Sequence, residues 1–231
     1  MKKPLFISLF LSLMALVSWA QPDNQVDAQG RKQGVWKKYF SDGGLRYEGS
    51  FKDDKEVGTF KFYYPDGTIA AIKMYSDIGD GRCQAEMYHT NGLKSAEGAY
   101  IEQLKEGDWK YYTQDGKLVS EEFYENGQLQ GQARDFYPDG QVAEIRHYTD
   151  GVLQGEWKQF YEDGEKKLKA FYEDGLLHGL MESYDFDGTI ATKGRYHKGR
   201  KDGIWVIYEA GLPKIKETYD KGDLLSTEEF E

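Results

Sequence analysis

An apolar run from Leu5 to Val17 opens the chain, and a polar stretch without periodicity follows from Gln21 to Lys32. Beyond it the hydrophobic pattern repeats. The segment Gly155-Glu156-Trp157-Lys158-Gln159-Phe160-Tyr161-Glu162-Asp163-Gly164, followed by Leu168 and Phe171-Tyr172, is the template. It recurs eight times at a period of about 24 residues, the signature of units that bury themselves only against their neighbours. Each unit has two aromatic-rich runs of strand length separated by turn residues, and no helical period occurs outside the first apolar run.

The units open at Gly34, Gly58, Cys83, Gly107, Gly131, Gly155, Gly179 and Gly203. The first turn of each is of the kind Tyr64-Pro65-Asp66-Gly67, where Pro presets one corner, Asp bonds back to the backbone and Gly takes the left-handed position. The second, such as Glu125-Asn126-Gly127 or Glu173-Asp174-Gly175, leads to the next opening residue. One hairpin per unit gives sixteen strands in an antiparallel meander roughly 75 Å from end to end. The expected fold is all-β, an elongated β-hairpin repeat array or solenoid. Its expected divisions are a leader (1–20), a linker (21–33), the array (34–219) and a polar C-terminal cap (220–231).

Trp157 and Phe160 are three apart and would point to opposite sides of a regular strand, so either a bulge at the opening Gly or a two-sided sheet is required. The aromatic positions Tyr39, Tyr63, Tyr88, Tyr112, Phe136, Phe160, Tyr184 and Tyr208 are expected to stack as ladders between hairpins. Unit three departs most from the template, with Cys83 for the opening Gly, Ala85 for the Trp and an unusual connector from Ser76 to Arg82.

Composition and the N-terminal segment sharpen this picture. Apolar area comes mainly from 18 Tyr, 12 Phe and 5 Trp, which suit a pleated surface. The formal charge of -10 makes nucleic acid and anionic lipid poor partners. Lys2-Lys3, the apolar run and Ser18-Trp19-Ala20 read as a signal peptide cleaved after Ala20, which places the protein in the periplasm or outside the cell with no transmembrane domain left. Cys83 is the sole cysteine, so no internal disulfide forms.

The unit Gly-x-Trp-x-x-Tyr-Tyr-x-Asp-Gly-x-Leu, closing with an aromatic and then Asn/Asp-Gly-x-x-x-Gly, resembles the MORN repeat variant of the YwqK-like antitoxin family over residues 34 to 219. The resemblance implies a rod-like hairpin array that binds or scaffolds a protein without catalysis, with neutralisation of a toxin as the role attached to the family.

Candidate chemistry is sparse. His89, His147, His178 and His197 fall at four different offsets and do not line up as a metal ladder. Asp185 and Asp187 before Gly188 match only part of a calcium loop. Catalytic residues are usually singular, whereas nearly every residue here has counterparts in other units; no cofactor is expected, and unit three is the place for a site of its own. Charges such as Lys110, Glu121 and Glu122, or Arg134, Glu144 and Arg146, leave no lipid-facing band for a membrane barrel. A protein partner is the leading expectation. Cell-wall or glycan binding is the alternative, through Trp36, Trp109, Trp157 and Trp205, since flat rings stack on sugar faces; the competing reading places these four in the core.

Overall fold

The structure, a computed structural model, describes residues 23–230; the leader expected over residues 1–20 lies outside them. It is one antiparallel sheet of 21 strands in chain order. The first four units comprise β2 (Lys32–Tyr39), β3 (Leu45–Lys52), β4 (Lys55–Tyr63), β5 (Ile69–Tyr75), β6 (Arg82–Tyr88), β7 (Lys94–Ile101), β8 (Leu104–Tyr112) and β9 (Leu118–Glu125), preceded by β1 (Gln25–Val26). Three units then open on a split strand. They are β10 (Gln128–Leu129), β11 (Gly131–Phe136) and β12 (Val142–Thr149); β13 (Val152–Leu153), β14 (Gly155–Phe160) and β15 (Lys166–Glu173); and β16 (Leu176–Leu177), β17 (Gly179–Tyr184) and β18 (Ile190–His197). The last unit is β19 (Arg200–Glu209) and β20 (Leu212–Asp220), and β21 (Asp223–Glu229) follows. The sixteen expected strands are therefore present. The five additional ones are the three split openings and a strand at either end.

Both ends differ from a simple boundary. The segment read as a linker is folded where it is described: β1 pairs with β2, and Asp27 accepts hydrogen bonds from the backbone of Gln29 and Arg31. Polarity hid this, because the hairpin is held by an Asp-centred turn and by Trp36, whose indole N–H donates to the Gln25 carbonyl at 3.1 Å. The cap region continues the meander, with β21 paired along β20.

The face conflict between Trp and the following aromatic is resolved by a two-sided sheet; a bulge at the opening glycine is present as well but leaves the faces unchanged. The sheet is two-sided, and at three unit junctions three residues oppose a single glycine. Glu97 pairs with Lys110 and Ala99 with Glu106, leaving Gly98 opposite Gly107, Asp108 and Trp109. Gly49 and Gly194 sit in the same relation to Gly58–Phe60 and Gly203–Trp205. The opening glycine supplies the left-handed turn of this bulge, with φ at +70° in Gly107. The bulge adds two residues, so side-chain parity is kept across it. At the junction into unit three the pairing from Ala71↔Met87 to Tyr75↔Cys83 runs without any bulge.

One side of the sheet carries the buried residues, including Phe51, Phe60, Cys83, Ala85, Ala96, Trp109, Ala133, Ala170 and Trp205. Packing there follows a volume rule between units. Gly49, Gly98 and Gly194 lie beneath the rings of Phe60, Trp109 and Trp205, and a Cβ at each would fall 2.3, 2.3 and 2.1 Å from the ring. The glycine removes the steric conflict and lets the ring lie on the backbone. Where the equivalent returning residue is long, as with Lys73 and Glu122, the next unit offers Ala85 and Ala133 instead. Ala170 is followed by Met181, an intermediate pair. Arg146 and Trp157 break the rule, and Trp157 is accordingly only half-buried.

Candidate functional site

The ring side is built from two cross-strand ranks. One contains the unit-opening rings and their partners. The other joins the aromatics that close each unit: Phe51, Tyr75, Tyr100, Tyr124, Tyr148, Tyr172, Tyr196 and Tyr219. Between consecutive closing rings stands one residue of the next unit, fixed by pairing: Glu56, Cys83, Lys105, Leu129, Leu153, Leu177 and Lys201. The two ranks touch edge-to-face, as in Tyr100–Trp109 at 4.9 Å and Tyr196–Trp205 at 5.0 Å, a geometry that meets the positive ring edge with the negative face.

The lysines in this rank are held by rings. The Lys105 ammonium lies 4.7, 4.9 and 4.7 Å from the centroids of Trp109, Tyr111 and Tyr124, and Lys201 lies 4.5 and 4.7 Å from Trp205 and Tyr219. Burial pulls the Lys105 ammonium below its ordinary pKa, while the Glu122 charge works the other way. Burial, with donation to Glu122, pushes the Tyr124 hydroxyl up to about 12. These cations fasten the array to itself.

Trp109 and Trp205 are 1% and 2% exposed, and their indole N–H groups donate to the Ala99 and Arg195 carbonyls at 3.1 Å, both beside the bulge. Their faces are covered, so they offer no sugar platform; the core reading holds for them. Trp36 is half-buried against Phe51 and bonded to β1. Trp157 donates to Glu144 Oε1 at 2.5 Å within a cluster where Gln159 bonds the same oxygen and Arg146 pairs with Asp135. Burial raises the Asp135 carboxyl despite that arginine. The four tryptophans thus share an offset but have different surroundings, and the structure does not bring them together as one surface.

The opposite side carries charge. Tyr63, Tyr88, Tyr112 and Tyr184, expected to stack in ladders, instead donate their hydroxyls to Glu48, Glu86, Glu97 and Glu182 at 2.8, 2.6, 2.5 and 3.0 Å, and Tyr39 is 53% exposed. Three-residue spacing from the Trp position puts them on this side, and the ring contacts between units run instead from a closing aromatic to the next unit's opening ring, as in Phe51–Phe60, Tyr100–Trp109 and Tyr196–Trp205. Burial and the bond to Glu97 hold the Tyr112 hydroxyl up at about 12.

Because the bulges preserve parity, one residue from each of seventeen strands aligns on this side. The rank runs Lys37, Glu48, Lys61, Ile72, Glu86, Glu97, Lys110, Glu121 and Arg134. It continues Ile145, Lys158, Lys169, Glu182, Lys193, Val206, Lys216 and Glu228. Some opposite-sign neighbours pair, as in Lys110–Glu121 at 3.2 Å, Lys193–Glu182 at 2.8 Å and Lys216–Glu228 at 3.1 Å. Where like charges are neighbours, a flanking residue intervenes: Lys94 bridges Glu86 and Glu97 at 2.8 and 2.7 Å, and Glu156 joins Lys158 and Lys169 at 2.5 and 3.1 Å.

The remaining sequence candidates serve the frame. His89 Nε2 lies 3.0 Å from the Tyr112 carbonyl and His147 Nδ1 lies 2.7 Å from that of Glu156, while the His178 and His197 rings are 5.1 Å apart. Asp187 Oδ1 accepts both Thr189 donors of its turn. Among the described residues no group of three His, Cys, Asp or Glu side chains is placed to hold a metal, and no helix is long and apolar enough to cross a membrane.

The MORN repeat variant model matches residues 32–53, 56–77, 105–126, 119–133, 129–150, 153–174 and 177–198, more than half of the chain. The chain belongs to the MORN repeat variant family. Units three and eight lie largely outside those matches, and unit three is the one entered without a bulge. MORN repeats are common in protein-binding and scaffold proteins. No curated protein matches the chain. Among solved structures it is similar to a chain of the TcdB2-TccC3-Cdc42 crystal structure, at 12% identity over 83% of this chain and 12% of that one, with a TM-score of 0.21. It is also similar to a chain of the Photorhabdus luminescens Tc holotoxin pore, at 12% identity over 84% and 14%, with a TM-score of 0.18. The chain spans about an eighth of the length of those chains.

Lys105, Lys201 and the three interior glycines escaped the sequence reading. A signal for the glycines exists: Gly49/Phe60, Gly98/Trp109 and Gly194/Trp205 are each eleven residues apart, and none of these glycines belongs to a turn motif.

Proposed function

We propose that this MORN-repeat chain is an exported, non-catalytic module that holds another protein against its charged side. The observation carrying this reading is the rank from Lys37 to Glu228, which presents charges of both signs from fourteen of its seventeen strands in one line, interrupted by Ile72, Ile145 and Val206. Such a line specifies register and partner more than it adds affinity, because exposed pairs contribute little each while like-charge mismatches reject wrong partners. The leader features of residues 1–20 support action in the periplasm or outside the cell. The resemblance to YwqK-like antitoxins supplies one identity for the partner, a toxin neutralised there.

Cross-linking from residue 158 in the native envelope, followed by reconstitution of the recovered protein with the purified chain, tests the proposal. One stoichiometric partner is expected, and reversing Lys158 and Lys169 to Glu is expected to weaken it at least tenfold with the circular dichroism unchanged. Affinity indifferent to that double reversal would overturn the assignment of the charged side.

A further inference from the structure

Seven gaps separate the eight closing rings, and six of them are filled by a long side chain of the following unit. The gap between Tyr75 and Tyr100 is the exception. Cys83 stands at its floor, Gly81 lies at the offset that Lys105 occupies in unit four, and Ala85 lies where a ring would cover it. A cavity of about 420 Å³ remains, lined by the two tyrosines, Cys83, Glu56, Lys73 and Glu102, among others.

We propose that this gap binds a primary alkylammonium group supplied from outside the chain. The two equivalent gaps closed by lysine show the chemistry. An ammonium on a four-carbon stem lies 4.5 to 4.9 Å from ring centroids, with a carboxylate close by, as in Lys201–Glu217 at 3.5 Å. In the gap at unit three the rings and acids are present, the long side chain of the following unit is missing, and Lys73 reaches in from the preceding unit to the Tyr100 ring. Tyr75 and Tyr100 come from strands on either side of β6, so their backbones are about 9.6 Å apart at roughly 4.8 Å per strand. That spacing accepts one side-chain thickness.

The charge balance selects the same ligand. Glu56 and Glu102 carry two negative charges against the single ammonium of Lys73, which reaches across from β5 to lie 4.4 Å from the Tyr100 centroid. Burial pushes both the Tyr75 hydroxyl and the Cys83 thiol up, so both are neutral at pH 7. One further ammonium neutralises the lining, whereas a carboxylate would double its deficit. This site stands apart from the charged side and does not depend on the scaffold reading.

Titration of the whole protein with n-butylammonium, followed by the Tyr75 and Tyr100 ring resonances, tests the proposal. Saturable shifts in the millimolar range are expected at those two rings, with none for n-butanol or butyrate at the same concentrations. Replacing Glu56 and Glu102 by Gln is expected to weaken binding about three- to tenfold, as loss of partly exposed charge partners should. Cys83→Lys is expected to abolish it by filling the gap as Lys105 fills its own, and Cys83→Leu to do so without charge; unchanged circular dichroism shows that each variant is folded. Nα-acetyl-lysine methylamide distinguishes the source: tighter binding than n-butylammonium identifies a lysine side chain of a protein, and weaker binding a free amine. Absence of saturable shifts, equal binding of butyrate, or affinity untouched by the two Gln replacements would each overturn it.

Discussion

At the scale of single residues, stability in this array is decided by volume exchange between units, not by the identity of any one unit. Gly98 has no left-handed φ, so an added methyl group brings no backbone strain, and its nearest contact is the Trp109 ring, 2.3 Å away. Gly98→Ala is expected to destabilise the protein by about 1–3 kcal/mol, the cost of overpacking, measured as a shift in the urea midpoint. Ala170 and Met181 show that the larger floor residue is tolerated beneath a slimmer cover. Trp109→Met alone removes a ring and its bond to the Ala99 carbonyl and should cost about 2–4 kcal/mol. In the Gly98→Ala background the same replacement should cost at least 1 kcal/mol less, because residues in contact are not additive. Strict additivity would show that the ring and the glycine are not in contact. The unit boundaries and both turns were legible in the sequence because Gly, Pro and Asp act locally. The covering of one unit by the next was not, since it lies between residues eleven apart on different strands.

Among the elements, the hairpin of β6 and β7 shows how the charged side balances its own repulsion. Glu86 and Glu97 face one another directly, and Lys94 lies within reach of both. Hydrogen bonding to Lys94, and then to Tyr88 or Tyr112, holds the two carboxyls below their ordinary pKa. Groups depressed in the folded state add stability above their unfolded value, near 4.5, and the contribution disappears as pH falls through the folded values. All three side chains are about one third exposed, so the effect is modest. Lys94→Met is expected to cost about 1 kcal/mol at pH 7. Once pH has fallen below the depressed folded values of both carboxyls, the difference from the parent should vanish, because the protonated pair no longer needs its cation; a gap independent of pH in urea titrations would mean that Lys94 acts through packing of its stem. The two faces of a unit could not be assigned from the sequence because aromatic positions three apart, as in Trp157 and Phe160, looked equally apolar. The paired register separates them, and burial then distinguishes the ring from the hydroxyl bound to a carboxylate.

For the molecule as a whole, the most extensive contacts are between strands adjacent in the meander, so the array behaves as a chain of nearest-neighbour interfaces. A unit can then be removed if its two new neighbours fit. Deleting residues 155–178 joins Gln154 to Gly179, which places the opening strand of unit seven against the returning strand of unit five. The split-strand form of the opening is the same in both units, with Leu153 taking the place of Leu177 between Tyr148 and Tyr196. The volume rule sharpens the expectation: the new junction sets Arg146 against Met181, a better match than Arg146 against Trp157, while the Ala170/Met181 junction is lost. The shortened protein should fold, with unchanged ellipticity per residue and an m-value lower by about one eighth, in proportion to the surface exposed on unfolding. Deleting residues 83–106 instead brings Gly107 and Trp109 against Lys73, where no glycine makes room for the ring. That variant should lose several kcal/mol or fail to fold. Equal tolerance of the two deletions in urea and thermal unfolding would refute the claim that inter-unit volume matching, and not the repeat count, holds the array together.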